Sequence, residues 1–156
     1  MHAKVIGRSS GRSSTAAAAY RAGEQIRDER TGGLHDYSRR AGVVHSEIIA
    51  PDNAPDWMKD RAELWNAVEL AEKRKDAQLS REVRFALPHE LTDEQRLELV
   101  RDYTKQAFVD RGMVADLAIH APSKDGDERN HHAHIMLTMR EITGDGFGNK
   151  ERAWND

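Results

Sequence analysis

The sequence predicts an α+β fold with a central, largely antiparallel sheet of about five strands and helices packed mainly on one face. The first observation is size, because 156 residues of which 38% are hydrophobic suit one compact domain. The second is that stretches with the two-residue period of a strand alternate with stretches of helical period. The third is that only a polar loop separates the last two predicted strands.

The first third of the chain predicts a strand, a helix and a second strand. Residues 3–6 form a short apolar stretch, and a loop rich in Gly, Ser and Arg follows it. Ser14 is expected to cap an alanine-rich helix that runs to about Arg30, because alanine is the best helix former. Residues 42–49 are rich in β-branched side chains and stop before Pro51, which predicts a strand.

The rest of the chain predicts two amphipathic helices and three strands. Apolar residues recur at helical spacing over residues 56–77, and apolar and polar residues alternate over 81–87 as in a half-buried strand. Residues 92–95 read Thr-Asp-Glu-Gln, a capping box that opens a helix expected to end near Gly112. Two further strands are predicted at residues 113–120 and 132–139, joined by a polar loop that contains Gly126.

Composition narrows the function classes. The chain has no run of about 18 apolar residues and no apolar leader, so a cytoplasmic location without membrane insertion is expected. The absence of cysteine excludes disulfides and thiolate metal sites, which leaves eight histidines as the abundant metal-ligand candidates. The net charge is -3, yet residues 1–50 hold eight Lys or Arg against five Asp or Glu. A DNA partner is therefore expected beside the first third, unless this asymmetry is ordinary fluctuation.

Three histidines predict a metal site. His132 and His134 are two apart in a predicted strand and project from one face, whereas His131 points to the opposite face. If the last two strands pair as a hairpin, His120 lies beside them, and three neutral imidazoles leave open coordination positions on a metal. Imidazoles favour zinc, while a phosphate substrate suits manganese or magnesium equally. The alternative is that these are surface or core histidines. The other histidines, expected to be structural or solvated, are His2, His35, His45 and His89.

Tyr20 lies on a nearly bare face of the first predicted helix. Its neighbours at helical spacing include Ala16 and Ala17, so a bulky ligand can approach the ring closely. The alternative is that small residues let this helix pack tightly, with Tyr20 as a core anchor. The preceding loop offers Arg8, Arg12 and several serine hydroxyls, a composition suited to phosphate or, alternatively, to a flexible solvated loop.

Several stretches carry a resemblance to one family. They are GRSSTAAAAYRAGE at residues 11–24, DYSRR at 36–40 and NHHAHI at 130–135. Together they resemble the MobA/MobL relaxases, a MobQ-class family of plasmid mobilisation proteins in the HUH endonuclease superfamily. Further matching stretches in the expected order, which extend the resemblance over almost the whole chain, lie at residues 65–69, 111–116, 146–148 and 153–155. The resemblance implies a central antiparallel sheet, a histidine-bound divalent metal and a tyrosine that attacks the scissile phosphate.

The resemblance assigns the nucleophile to Tyr20 and the metal ligands to His120, His132 and His134. His131 stands where relatives often have proline, which leaves it as a competing ligand. The implied activity is site- and strand-specific nicking of a plasmid transfer origin through a 5′-phosphotyrosyl intermediate. The implied cofactor is a divalent ion, Mn²⁺ or Mg²⁺, whose site can hold Zn²⁺ in a solved structure. Implied partners are single-stranded transfer-origin DNA, accessory mobilisation proteins and a type IV coupling protein. Residues 1–156 are expected to form one nicking domain, with room for further domains in a longer protein.

Glu82 and four arginines complete the predicted site. Glu82 is the candidate that orients a ligand histidine or accepts the tyrosine proton, and a surface ion pair on the strand face shared with Arg84 is equally open. The candidates for contact with DNA phosphates are Arg8, Arg12, Arg39 and Arg40. Three other functions remain open: a rolling-circle replication initiator with the same chemistry, a histidine-metal hydrolase that activates water, and a non-catalytic DNA-binding module.

Overall fold

The computed structural model describes residues 1–123 and 129–151, and these residues form nine strands and three α-helices. The strands are β1 (His2–Gly7), β2 (Gln25–Arg27), β3 (Leu34–Asp36), β4 (Val43–Ile49), β5 (Gln78–Leu87), β6 (Ala115–His120), β7 (His131–Leu137), β8 (Arg140–Thr143) and β9 (Gly146–Lys150). The helices are α1 (Ser14–Ala22), α2 (Arg61–Ala71) and α3 (Asp93–Ala107). The predicted loop residue Gly126 and the stretch 153–155 lie outside the described residues.

Five of these strands form one antiparallel sheet in the order β1-β5-β7-β6-β4, and β2-β3 and β8-β9 form two small hairpins. The α+β class and the five-stranded antiparallel sheet are confirmed. Strand β7 occupies the centre, so both of its neighbours hold its backbone in place. In the register of β6 with β7, His120 pairs with His132 and Ala118 pairs with His134.

Helices cover both faces of the sheet. Met136 of β7 belongs to a buried cluster with Ala18 of α1 and Trp65 of α2, whereas Ile135 belongs to a second cluster with Val100 of α3. The prediction that helices pack mainly on one face therefore holds for α1 and α2, whereas α3 covers the opposite face. The reason is that the central strands carry apolar side chains on both faces of the sheet, so each face must be covered from water. His132 and His134 share the α1 face with Met136.

Helix α1 is shorter than predicted. Ser13 rather than Ser14 caps it, because the Ser13 hydroxyl accepts the Ala16 N–H at 3.0 Å. The helix ends at Ala22 because Gly23 adopts a left-handed conformation with φ of 69°. The expected helical continuation to Arg30 is wrong, and the chain instead forms the β2-β3 hairpin.

The second predicted helix is also interrupted. Residues Asp56–Lys59 form one 3₁₀ turn, and Asp60 then caps α2 by accepting the Glu63 N–H at 3.1 Å. The capping box at residues 92–95 is confirmed at the start of α3, since Thr92 and Gln95 bond reciprocally. Gly112 ends the turn after α3 with φ of 104°. No helix within residues 1–123 and 129–151 has the length and apolar character needed to cross a bilayer.

Candidate active site

The three predicted metal ligands lie together on the α1 face of the sheet. The ring centroids are 5.1 Å apart for His120 and His132, 4.8 Å for His120 and His134, and 5.1 Å for His132 and His134. One nitrogen from each ring lies within 4.8 Å of the other two. Among the described residues this is the one group of histidine and carboxylate side chains arranged to hold an ion.

Each histidine is anchored through one ring nitrogen, which leaves the other for a ligand. His134 Nδ1–H donates to Glu82 Oε1 at 2.9 Å, and His132 Nδ1 lies 3.3 Å from the Asn130 carbonyl oxygen. His120 Nε2 lies 2.8 Å from the Arg21 carbonyl oxygen, so that nitrogen carries the proton. His120 Nδ1 is then buried without a hydrogen-bond partner among the described residues. Imidazoles fixed in this way by oxygen acceptors fit a divalent metal.

The three imidazoles are neutral near pH 7. Burial lowers the pKa of His120 to about 4, although the hydrogen bond to the Arg21 carbonyl opposes the change. Burial also lowers the pKa of His132 and of His134. Since a metal binds only the neutral imidazole, these lowered pKa values keep the three donors available to a lower pH than an ordinary histidine allows.

Glu82 is buried, with 2% of its surface exposed, and so is not part of a surface ion pair. Arg21 donates through Nε to Oε1 at 2.9 Å and through a terminal nitrogen to Oε2 at 3.3 Å. Burial raises the pKa of Glu82, but the hydrogen bonds from His134 and Arg21 outweigh this and lower the pKa to about 2. Glu82 is therefore a carboxylate that links α1 to His134.

Tyr20 is 39% exposed and is not a core anchor. Its ring meets Tyr37 edge-on with the centroids 5.2 Å apart, and the Arg40 guanidinium lies 4.0 Å above its centroid. Arg40 also donates to the Tyr20 carbonyl oxygen at 2.8 Å and lies 3.4 Å from His120 Nε2. Arg40 therefore contacts both the Tyr20 ring and His120, and so connects the phenol to the histidine cluster.

The predicted phosphate contacts differ in availability. Arg8 turns inward: its terminal nitrogens donate to the carbonyl oxygens of Glu69, Glu72 and Arg74 at 3.1, 2.8 and 3.0 Å, and to the Glu69 carboxylate at 2.7 Å. With 11% of its side chain exposed and its terminal nitrogens engaged, Arg8 ties the loop before α1 to α2, and its contact with DNA stays a prediction. Arg12 lines a cleft beside α1, and Arg39 is exposed beside Tyr20.

The remaining histidines lie outside the cluster. His131 is the first residue of β7 and points to the α3 face, where the charges of Arg96 and His89 act on it. Its position excludes it from the group formed by its neighbour His132. Three of the others lie beside carboxylates: His35, His45 and His89. His2 lines a pocket together with Glu82 and His134, although it is not part of the cluster.

The sequence model of the MobA/MobL family matches residues 12–156, which is most of the chain. The chain belongs to the MobA/MobL family. The family resemblance expected from the sequence motifs is therefore confirmed.

Named relatives of this MobA/MobL chain are longer proteins. "Mobilization protein MobL" of Acidithiobacillus ferridurans is 46% identical over 168 residues, which cover 94% of this chain and 43% of the relative. "Conjugal transfer protein TraA" of Agrobacterium fabrum is 40% identical over 161 residues, covering 97% of this chain and 14% of the relative. The chain thus spans less than half of either relative.

One solved structure resembles the fold of this MobA/MobL chain closely. It is described as "Molecular Basis of Vancomycin Resistance Transfer in Staphylococcus aureus" and superposes with a TM-score of 0.87 at 33% identity. The match covers 99% of this chain and 77% of that chain. The arrangement of sheet and helices is therefore shared with a solved protein.

Sequence reasoning missed two arginines in this MobA/MobL site. Arg21, next to Tyr20, holds Glu82, and Arg61 binds Asp116 through two nitrogens at 2.8 and 2.9 Å while donating to Glu24 at 2.5 Å. The partners of both arginines are 37 to 61 positions away in sequence, so no local pattern announces them. Their proximity to motif residues was the available signal.

Proposed function

We propose that this domain cuts single-stranded DNA at a transfer origin by transesterification, and that Tyr20 remains joined to the 5′ phosphate. The observation that carries the proposal is the direct connection between nucleophile and cluster. The carbonyl of Arg21, the residue after Tyr20, accepts the proton of His120 at 2.8 Å. An exposed phenol is thereby held on the helix turn that anchors one of three neutral imidazoles.

In the proposed step the Tyr20 oxygen forms a bond to phosphorus while the bond from phosphorus to the 3′ oxygen breaks. The phenolic proton leaves to solvent, and the departing oxygen takes up a proton to become a 3′-hydroxyl. One phosphate ester replaces another, so the step is reversible and needs no external energy source. Water is not consumed, which distinguishes this reaction from hydrolysis.

Glu82 acts in this proposal as a positioning residue and not as the proton acceptor. A carboxylate whose pKa is about 2 is a weak base near neutral pH, and both of its oxygens are already engaged. What it does is hold His134 Nδ1–H and the Arg21 guanidinium, which fixes the ring of His134 and the end of α1 together.

A divalent ion fits the three free nitrogens of His120, His132 and His134, and when bound it supplies positive charge for the oxygens of the scissile phosphate. The buried, unpartnered His120 Nδ1 supports this donor set. Mn²⁺ or Mg²⁺ suits a phosphate substrate, and Zn²⁺ suits the imidazoles. Arg40 lies against both Tyr20 and His120, so its guanidinium can contact the same phosphate.

The names of the relatives support a role in conjugative mobilisation for this chain. Both "Mobilization protein MobL" and "Conjugal transfer protein TraA" match more than nine-tenths of it. The partners proposed are transfer-origin DNA, accessory mobilisation proteins and a type IV coupling protein, met in the cytoplasm. A replication initiator, although chemically similar, gains no support from these names.

The test is a covalent-adduct assay. Single-stranded oligonucleotides that tile the genetic element encoding the chain are incubated with the protein and Mn²⁺, and a denaturing gel is examined for protein joined to DNA. We expect wild type to give an adduct with one oligonucleotide and Tyr20→Phe to give none. Tyr37→Phe is the matched control, because Tyr37 touches the Tyr20 ring and loses the same hydroxyl.

The outcomes separate the functions. An adduct that survives in Tyr20→Phe overturns the assignment of the nucleophile. Cleavage without any adduct moves the activity to hydrolysis. Binding without cleavage in any divalent metal leaves a non-catalytic DNA-binding domain.

A further inference from the structure

Two clefts meet at Tyr20. The first, called the α1 cleft, has a volume of about 460 Å³ and runs along the exposed face of α1. Among the residues that line it are Arg12, Ala16, Ala17, Tyr20, Arg30 and His35. The second, of about 390 Å³, is lined by Tyr20, Asp36, Tyr37, Arg39 and Arg40. A DNA strand whose backbone is attacked by Tyr20 continues away from the phenol on both the 5′ and the 3′ side of the scissile phosphate. The molecule has one cleft for each of these directions.

The α1 cleft combines an apolar floor with cationic walls. Ala16 and Ala17 present only methyl groups toward it, next to the Tyr20 ring. The opposite wall comes from the chain around the β2-β3 hairpin and contributes Arg30 and His35. A nucleotide has the matching chemistry, because its base is a flat, largely apolar surface and its phosphate is an anion.

Two guanidinium groups in the α1 cleft are free to bind an anion. Arg12 makes no hydrogen bond or ion pair to the described residues, and it sits at the end of the cleft that precedes α1. Arg30 is 39% exposed, and its one ion pair in the described ranges is Nε with Glu69 at 3.6 Å. Its terminal nitrogens are therefore available. By contrast, Arg8 and Arg21 are committed to protein acceptors.

The wall that carries Arg30 is held in place by a buried carboxylate. Asp28 is 1% exposed and accepts the Thr15 hydroxyl at 2.8 Å, which ties the hairpin to α1. Its other oxygen accepts the backbone N–H groups of Arg30 at 2.9 Å and Thr31 at 3.1 Å. Because these donors occupy the carboxylate, Asp28 shapes the cleft and does not offer a free acceptor to a ligand.

From these observations we propose that the α1 cleft binds one nucleotide of single-stranded DNA next to the scissile phosphate. The base lies on the floor of Ala16 and Ala17, and the phosphate is held between Arg12 and Arg30. A volume near 460 Å³ lies within the range of about 300–1,000 Å³ found for small-ligand sites. This inference rests on the proposed function, since it places a DNA strand at Tyr20.

The first experiment measures binding without cleavage. Fluorescence anisotropy follows a labelled thymidine oligonucleotide of about 12 residues in EDTA, at about 50 to 300 mM NaCl. We expect Arg30→Ala to weaken binding about tenfold at low salt and to reduce the slope of log affinity against log salt by about 0.7. The matched control is Arg27→Ala, which removes the same charge from exposed β2 outside the cleft.

A second variant tests the floor without changing charge. Ala16→Leu adds bulk to the cleft and keeps a good helix-forming residue in α1, so folding is retained. We expect it to weaken binding of the oligonucleotide by about fivefold, with an unaltered salt slope, because a base is displaced while phosphate contacts persist. Binding of inorganic phosphate, measured by competition, is expected to be unaffected by Ala16→Leu and weakened by Arg30→Ala.

The results separate this inference from the nicking reaction. Equal losses in Arg30→Ala and Arg27→Ala, or wild-type binding by Arg30→Ala and Ala16→Leu, overturn the α1 cleft as a nucleotide site. Phosphate competition as strong as that of thymidine monophosphate also overturns it, since the floor would then contribute nothing. If the Tyr20 adduct fails to form while the cleft variants lose binding, the strand site stands and the proposed chemistry falls.

Discussion

Glu82 determines how one metal-ligand candidate is presented. It receives the proton of His134 and the charge of Arg21 while almost fully buried. Glu82→Gln keeps the shape but removes the charge that favours the Nδ1–H tautomer of His134. We expect Mn²⁺ affinity, measured by calorimetry, to fall by about tenfold, at the low end for residues that orient metal ligands.

The matched control for this prediction is Glu47→Gln. Glu47 also pairs with a histidine and an arginine, His45 and Arg101, but on β4 outside the cluster. Its replacement should leave metal affinity unchanged. An affinity in Glu82→Gln equal to that of wild type would remove Glu82 from the site and leave it a structural ion pair.

His120 makes the stability of the metal-free protein depend on pH. Burial lowers its pKa to about 4 from an ordinary 6.5, so the unfolded chain takes up a proton more readily than the folded one. The contribution of neutral His120 is therefore complete above pH 6.5 and is lost as pH falls toward 4, at a cost of up to about 3 kcal/mol. His132 and His134 act in the same direction.

Urea unfolding in EDTA between pH 7.5 and pH 4 checks this sign. We expect the free energy of unfolding to fall with pH in wild type and to fall less in His120→Gln, which lacks the titrating group. His89→Gln is the control, because His89 is 45% exposed and is not part of the cluster. A wild-type stability that is flat across this range would contradict the burial of neutral imidazoles.

At the scale of single residues, sequence reasoning succeeded where spacing fixes direction. His132 and His134 had to share a face because a strand alternates, and one hairpin was enough to bring His120 beside them. The inward turn of Arg8 could not be predicted, for the opposite reason. Its acceptors on and after α2 lie 61 to 66 positions away, and a loop rich in serine and arginine looks the same whether its guanidinium turns outward or inward.

At the scale of elements, a buried ion-pair network joins α2 to the sheet and to the end of α1. Arg61 binds Asp116 of β6 and Glu24, and Trp65 Nε1–H donates to Asp116 at 2.8 Å. Removing Arg61 leaves the Asp116 carboxylate buried with one donor. We expect Arg61→Met to lower the free energy of unfolding by about 3–5 kcal/mol, the usual cost of breaking a buried pair from one side.

The control for the network is Arg101→Met. Arg101 is 46% exposed and pairs with Glu47 on the surface, where an ion pair contributes at most about 1 kcal/mol. Urea unfolding of both variants is the measurement. Similar losses in the two proteins would mean that the Asp116 carboxylate is solvated after all and that the network does not fasten α2.

The lengths of the helices show which local signals outweigh periodicity. Alanine content extended the first predicted helix to Arg30, yet Gly23 in the left-handed region ended it and the next residues paired as a hairpin. The apolar spacing predicted one continuous helix through Asp60, but the Asp60 side chain caps the start of α2 there. Both residues are ordinary stop or start signals, and in this chain they outweigh alanine content and apolar period.

At the scale of the whole molecule, class and strand content could be predicted but the strand order could not. The sequence predicted β5, β6 and β7 one by one, and alternation identified β5. Placing β7 between β5 and β6 requires long-range pairings such as Arg84 with His134, which no local pattern encodes. That order is what puts the two histidines of β7 beside Glu82 of β5 and His120 of β6.

Metal binding should stabilise the folded molecule as a whole, because the three donors converge only when β6 and β7 are paired under α1. With Mn²⁺ at about 100 times its dissociation constant, linkage predicts about 2.7 kcal/mol of added stability, or roughly 5–10 °C in Tm. Calorimetry with and without EDTA measures the shift. We expect His132→Ala to abolish it and His131→Ala to retain it, since these neighbours point to opposite faces of β7. Loss of the shift in His131→Ala alone would transfer the ligand role to His131. That would require β7 to slip by one residue, which would move Ile135 and Met136 each to the opposite face of the sheet and out of the cluster in which it packs.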